Sequence, residues 1–89
     1  MLEAVWYKGF KRSYNKRIKN KPDVRNKFWE RMTVFLSDPF ARELRTHKLS
    51  GKLTGLWAFS VDDDYRVIFD FTSQNQLLLI DIGTHEEVY

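Results

Sequence analysis

Residues 64–71 read Asp64-Tyr65-Arg66-Val67-Ile68-Phe69-Asp70-Phe71, a run in which bulky apolar side chains occupy every odd position. At the strand period of two, Tyr65, Val67, Phe69 and Phe71 share one face, and Arg66, Ile68 and Asp70 share the other. Burying Arg66 and Asp70 without partners would cost on the order of several kcal/mol, so the aromatic face must be the covered one. Arg66 is then left on an open face of a sheet, where a ligand can reach it.

Working outward, Leu56 to Val61 and Gln76 to Ile82 are two further runs dense in aromatic and branched residues. Asp62-Asp63-Asp64 and Thr72-Ser73-Gln74-Asn75 separate the three runs, and the pattern predicts two consecutive hairpins. Upstream, Leu2 to Tyr7 reads as a first strand that Gly9 breaks. Phe10, Tyr14 and Ile18 then recur every fourth residue among Lys and Arg, which is one apolar stripe on a short basic helix. Asn20-Lys21-Pro22-Asp23 has turn chemistry, with Pro22 suited to a first helical turn. Val24, Phe28, Met32, Phe35 and Leu36 mark a longer amphipathic helix that Ser37-Asp38-Pro39 ends. Between these parts, His47 to Gly55 holds two glycines and no period, and reads as a loop or bulged segment. The predicted order is β-α-α-β-β-β. This is an α+β domain spanning residues 1–89, an antiparallel sheet with the two N-terminal helices packed on one face.

Eighty-nine residues make one domain, near the small end of what buries a core unaided. Seven Phe, four Tyr and three Trp compensate, because each aromatic ring buries a large area for one residue's entropy. No cysteine is present, which removes disulfides and thiolate metal sites and fits a reducing compartment. No apolar run suits a secretion signal or a membrane span, so a cytoplasmic protein without a membrane partner is expected. Charge is unevenly placed: residues 1–31 carry ten Lys/Arg against three acids, residues 32–89 five against nine. A basic half on so small a domain points to a polyanion or an acidic partner, although Lys and Arg also simply solvate amphipathic helices.

Three short motifs carry the chemistry: His47-Lys48-Leu49-Ser50-Gly51, then Asp64-Tyr65-Arg66-Val67-Ile68-Phe69, then Gly83-Thr84-His85 close before Tyr89. Their order and spacing resemble the RelE/ParE (RelE/StbE) toxins of type II toxin–antitoxin pairs, and most closely the YafQ-like branch. The likeness covers the second half of the chain by motif and the helical half only by element order and charge. It implies a sheet with a cleft on its open side and cleavage of mRNA in the ribosomal decoding site. It implies too a cognate antitoxin as partner, through which the complex would bind operator DNA. By position, His47 and His85 match two catalytic histidines, Asp64 an acidic residue before the aromatic of the hairpin, Tyr89 a C-terminal aromatic, and Arg66 a phosphate-binding arginine. Two positions depart from the pattern. Ser60 stands where the branch has another histidine, and Asp81 stands where it has an arginine.

RNA can be cut by its own 2′-hydroxyl, given a base for that hydroxyl, an acid for the departing 5′-oxygen, and cations for the phosphoryl oxygens. Imidazoles suit the first two tasks at neutral pH, and this chain's two histidines both lie in the matched motifs. The expected assignment is His47 and His85 as acid and base, without metal or other cofactor, with Arg66, Lys48 and Lys52 holding phosphates. Asp64 would orient a histidine or an arginine, and Tyr89 and Trp57 would stack on a displaced base. Plainer readings stand beside these: Arg66 pairing with Asp64 or Asp70, Trp57 in the core, and the lysines merely solvated. The alternatives for the whole chain are a ParE-like toxin of DNA gyrase, or a degenerate toxin that only binds its antitoxin.

Overall fold

In a computed structural model, which describes residues 2–89, the chain forms β1 (Glu3–Trp6), α1 (Lys8–Arg17), α2 (Pro22–Ser37), β2 (His47–Lys48), β3 (Trp57–Ser60), β4 (Tyr65–Ser73), β5 (Gln76–Thr84) and α3 (His85–Val88). Single 3-10 turns at Arg42–Leu44 and Gly51–Leu53 flank β2. α2 begins and ends where its sequence signals lie, whereas α1 begins at Lys8 and takes in Gly9, the residue expected to break the chain after the first strand. Pro22 opens α2, and beyond its end Asp38 holds the turn by accepting a hydrogen bond from the Phe40 amide through Oδ1 (3.0 Å).

The aromatic face of β4 is the core face as predicted, but the opposite face is not open throughout, since Ile68 is buried there beside Ala58. Val67 and Phe69 are buried in the core with Tyr65 and Phe71 packed at its margin, and Phe10, Ile18, Phe28, Met32 and Phe35 meet them from the helical layer. Phe35 stacks on Phe59 at 4.4 Å between ring centroids and meets Phe69 edge-on at 4.8 Å. These rings tie α2 to β3 and β4, which is what fixes the helical layer over one face.

Two features correct the expectation. The sheet is five-stranded and mixed, in the order β1-β5-β4-β3-β2, because β1 pairs with β5 in parallel from Glu3↔Gln76 to Trp6↔Leu79. No hairpin joins β1 to its neighbour. The chain leaves β1 through both helices, enters the sheet at its far edge, and returns by hairpins, and a long crossover of this kind permits parallel pairing. The fifth strand is β2, two residues long, pairing His47↔Ala58 and Lys48↔Trp57 inside the segment expected to be a loop.

β5 also carries a bulge. Leu79 faces Phe69 and Asp81 faces Ile68, so Ile80 is extra, and the buried series on β5 runs Leu77, Leu79, Ile82. β1 covers β5 only as far as Leu79. Beyond that point α1 takes over, with Arg17 Nη1 donating to the Ile82 carbonyl at 3.0 Å, so the free edge of β5 is closed.

Candidate active site

A cleft of about 310 Å³ opens where β2, β4 and α3 come together, lined by His47, Lys48, Leu49, Ser50, Leu53, Arg66, His85 and Tyr89. Three separate stretches of chain meet here. Edge strand β2 supplies His47 and Lys48, the turn after it supplies Leu49, Ser50 and Leu53, β4 supplies Arg66, and the C-terminal segment supplies His85 and Tyr89. Gly51, at φ +66°, turns the backbone between Ser50 and Leu53 in a conformation that side-chain-bearing residues rarely adopt. The volume lies at the small end of pockets that hold small ligands, about 300 to 1,000 Å³.

His47 is exposed, and its Nδ1 lies 2.9 Å from the Arg45 carbonyl oxygen. A carbonyl only accepts, so Nδ1 carries a proton and Nε2 is the nitrogen left to exchange one. His85 is the first residue of α3. Thr84 caps that helix: its hydroxyl accepts from the Glu87 amide while Glu87 Oε1 accepts from the Thr84 amide at 2.7 Å. Tyr89 returns over the site, its ring edge-on to His85 at 4.5 Å and 5.6 Å from the Arg66 guanidinium.

The hydrogen bond from the Thr84 amide holds the Glu87 carboxyl below its ordinary range, aided by the Thr84 hydroxyl and by Arg17. A carboxyl lowered on folding adds stability above its unfolded pKa and loses it as pH falls through the folded one. The cap is therefore intact at neutral pH and weakens on acidification. Thr84→Ala removes the hydroxyl that accepts from the Glu87 amide and is expected to cost about 0.5 to 2 kcal/mol by urea unfolding at neutral pH, while the acid-sensitive bond from the backbone amide of residue 84 to Glu87 persists in it.

Arg66 stands on the open face, as the strand period requires. Its Nε is buried and has no hydrogen-bond partner, and among the described residues the ion pairs are Arg17–Asp81, Arg17–Glu87 and Arg45–Asp63, none of them involving Arg66. Pairing with Asp64 or Asp70 is thereby set aside. A buried donor left unmatched costs about 1 to 3 kcal/mol, which an incoming anionic oxygen would recover.

The other expected residues divide. Asp64 lies in an adjoining depression with Asp63, Tyr65, Arg66, Thr84, His85 and Glu86. Its carboxylate has no hydrogen bond to a histidine or to Arg66 among the described residues. Lys48 lines the cleft, its Nζ 5.4 Å from the Trp57 ring. Trp57 does not reach the cleft. It packs at the core margin with Phe40 and Phe71, because register places it opposite the buried Phe69. Lys52 is exposed on the turn Gly51–Leu53 and does not line the cleft either.

The two departures from the motif pattern also find their places. Ser60 sits directly opposite Arg66 in the ladder. Asp81 is engaged by α1: its Oδ1 accepts from Ser13 Oγ at 2.6 Å, from the Ile82 amide at 2.9 Å and from Arg17 Nη1 at 3.3 Å. Its charge is compensated there, and it lines a separate groove with Gly9, Arg12 and Lys16. Leu49 and Ser50 stand in the first motif with no role assigned, and Leu53 and Arg17 lie outside every motif. Leu53 falls in a stretch without period, and Arg17 differs in no visible way from its basic neighbours. No three His, Asp or Glu side chains converge to hold a metal ion among the described residues.

The fold is shared with solved structures of bacterial toxins. A metal-bound toxin from Helicobacter pylori superposes with a TM-score of 0.80 at 23% identity, covering all of both chains. YafQ from E. coli strain BL21(DE3) gives 0.76 at 19% identity over 100% of this chain and 99% of that one, and a YoeB/ParE toxin from Agrobacterium tumefaciens gives 0.77 at 19% over 94% and 99%. The family described as the bacterial toxin of type II toxin-antitoxin system, YafQ, matches residues 2–89, and the chain belongs to that family. No curated protein sequence matches it.

Proposed function

We propose that this toxin is an endoribonuclease that cleaves mRNA on the ribosome by acid–base catalysis without a metal ion. The observation that carries the proposal is the convergence, in one cleft, of both histidines of the chain with Arg66, whose buried Nε lacks a partner. One imidazole takes the proton of the 2′-hydroxyl as its oxygen attacks the adjacent phosphorus. The other gives a proton to the 5′-oxygen as the P–O5′ bond breaks, leaving a 2′,3′-cyclic phosphate and a 5′-hydroxyl. Arg66 binds the phosphoryl oxygens on which charge accumulates, with Lys48 beside it. Tyr89, exposed at the rim, stacks on a base drawn from its neighbours, and Asp64 acts on His85 or Arg66 once RNA is bound. Lys52 and Trp57, outside the cleft, keep at most a role in contacting RNA beyond the cut.

A cognate antitoxin is the proposed protein partner, supported by the family description and by the DinJ–YafQ complex from E. coli, which superposes with a TM-score of 0.74 at 19% identity over 100% of this chain and 99% of that one. The basic N-terminal half suits an acidic antitoxin segment, and operator DNA would be bound through that partner.

Toxin stripped of bound metal by EDTA and then dialysed is expected to cut mRNA on ribosomes programmed in ordinary magnesium buffer as fast as untreated toxin, and to leave gyrase supercoiling unaffected. Cutting lost on stripping and restored by adding back a transition-metal ion would contradict the metal-free mechanism, and inhibition of gyrase with intact mRNA would replace the nuclease reading. Arg66→Lys keeps the charge but not the fork or the Nε donor. It is expected to lower kcat roughly ten- to a hundredfold, measured by single-turnover cleavage.

A further inference from the structure

Arg17 sits at the junction of α1, β5 and α3, and its contacts run to all three. Nη1 donates to Asp81 Oδ1 (3.3 Å) and to the Ile82 carbonyl (3.0 Å), and Nε lies 3.7 Å from Glu87 Oε2. Glu87 in turn holds the Thr84 amide, the cap from which His85 projects. The room for this arrangement comes from Gly83. A Cβ there would stand 2.9 Å from Arg17 Nη1 and 2.9 Å from Glu87 Oε1, closer than such atoms pack, so a side chain at 83 would displace the guanidinium or the carboxylate.

From this we infer that Arg17 is a positioning residue for His85, a clamp that joins α1 to the cap of α3 and sets where the imidazole stands in the cleft. The inference rests on the nuclease reading above. α3 is a single turn with no buried residue of its own, so packing alone does little to hold it. What fixes it is the Thr84–Glu87 cap at one end and the Tyr89 ring at the other, and the cap is tied to the body of the protein through Arg17. Asp81 gives the guanidinium a second carboxylate on the sheet, so Arg17 is anchored before it reaches Glu87. Asp81 and Arg17 thus act as a pair.

The test is a double-mutant cycle on kcat. Arg17→Gln is expected to lower kcat about 10- to 100-fold with KM for ribosome-bound mRNA changed less than about twofold, since displacement of a reacting group by about 1 Å can cost about 10². Placed on His85→Ala, the same substitution should cost almost nothing more, because the group it positions is gone. Glu87→Gln keeps the acceptor of the cap but not the charge facing Arg17, and should show part of the loss. Amide exchange at Glu87 to Tyr89 should speed up in Arg17→Gln while the strands keep their protection, which separates a loosened α3 from general unfolding. Unchanged kcat and unchanged exchange in Arg17→Gln, with His85→Ala inactive, would overturn this inference alone. Additive losses would assign Arg17 a role independent of His85 and overturn it too. Full activity in His85→Ala would remove the nuclease reading and this inference with it.

Discussion

His85→Ala is expected to cut mRNA about 10² to 10⁴ times more slowly than the wild-type toxin, while folding with unchanged stability. The loss should fall on kcat, since an acid or base acts in the transition state and adds little to binding of the ground state. His85 is exposed at the start of α3 and contributes nothing to the buried core, which is why stability should be spared. Its nearest aromatic contact is the edge of Tyr89, itself at the rim. His47→Ala should behave alike, with one difference. Its imidazole Nδ1 is tied to the Arg45 carbonyl, so His47→Gln, whose amide can restore that bond, should remain as slow as the alanine variant. Single-turnover cleavage on programmed ribosomes, with urea unfolding in parallel, checks both statements.

The largest effect on stability is expected at Phe35. Phe35→Ala should lose about 3 to 5 kcal/mol, the range for truncating a buried aromatic ring. The side chain is completely buried and touches Phe59 by stacking and Phe69 by its edge, so its removal leaves a cavity between α2 and two strands at once. Against the roughly 5 to 15 kcal/mol of an ordinary domain, that loss leaves little margin. The urea midpoint should fall sharply. Activity should disappear on warming and return on cooling, a pattern that His85→Ala will not show.

The fold was legible where period and punctuation are strong. Tyr65 to Phe71 revealed its core face because alternation sets Tyr65, Val67, Phe69 and Phe71 together once Arg66 must stay accessible, whereas the burial of Ile68 on the other face left no mark in the period. The boundaries of α2 followed from Pro22 and Ser37-Asp38-Pro39. What escaped depends on distant partners. Two residues of β2 carry no period, the parallel pairing of β1 is decided by a crossover and not by a turn, and the bulge at Ile80 leaves no mark on an uninterrupted apolar run. The site divides in the same way. His47, Arg66, His85 and Tyr89 were visible through motif resemblance and meet in one cleft, whereas Trp57 read both as a stacking platform and as core, and its register opposite Phe69 places it at the core margin. Asp81 looked like a misplaced charge in the cleft, and its compensation by Arg17 comes from residues sixty-four positions away. Sequence shows residue types, and only the folded chain shows which charge answers which.

The pH dependence of single-turnover cleavage tests the central claim most directly, because a proton donor and a proton acceptor titrate in opposite senses. The wild-type toxin should give a bell-shaped profile, with His47→Ala erasing one limb and His85→Ala the other, which also assigns acid and base. A profile that keeps both limbs in either variant would show that the two imidazoles are not the proton carriers.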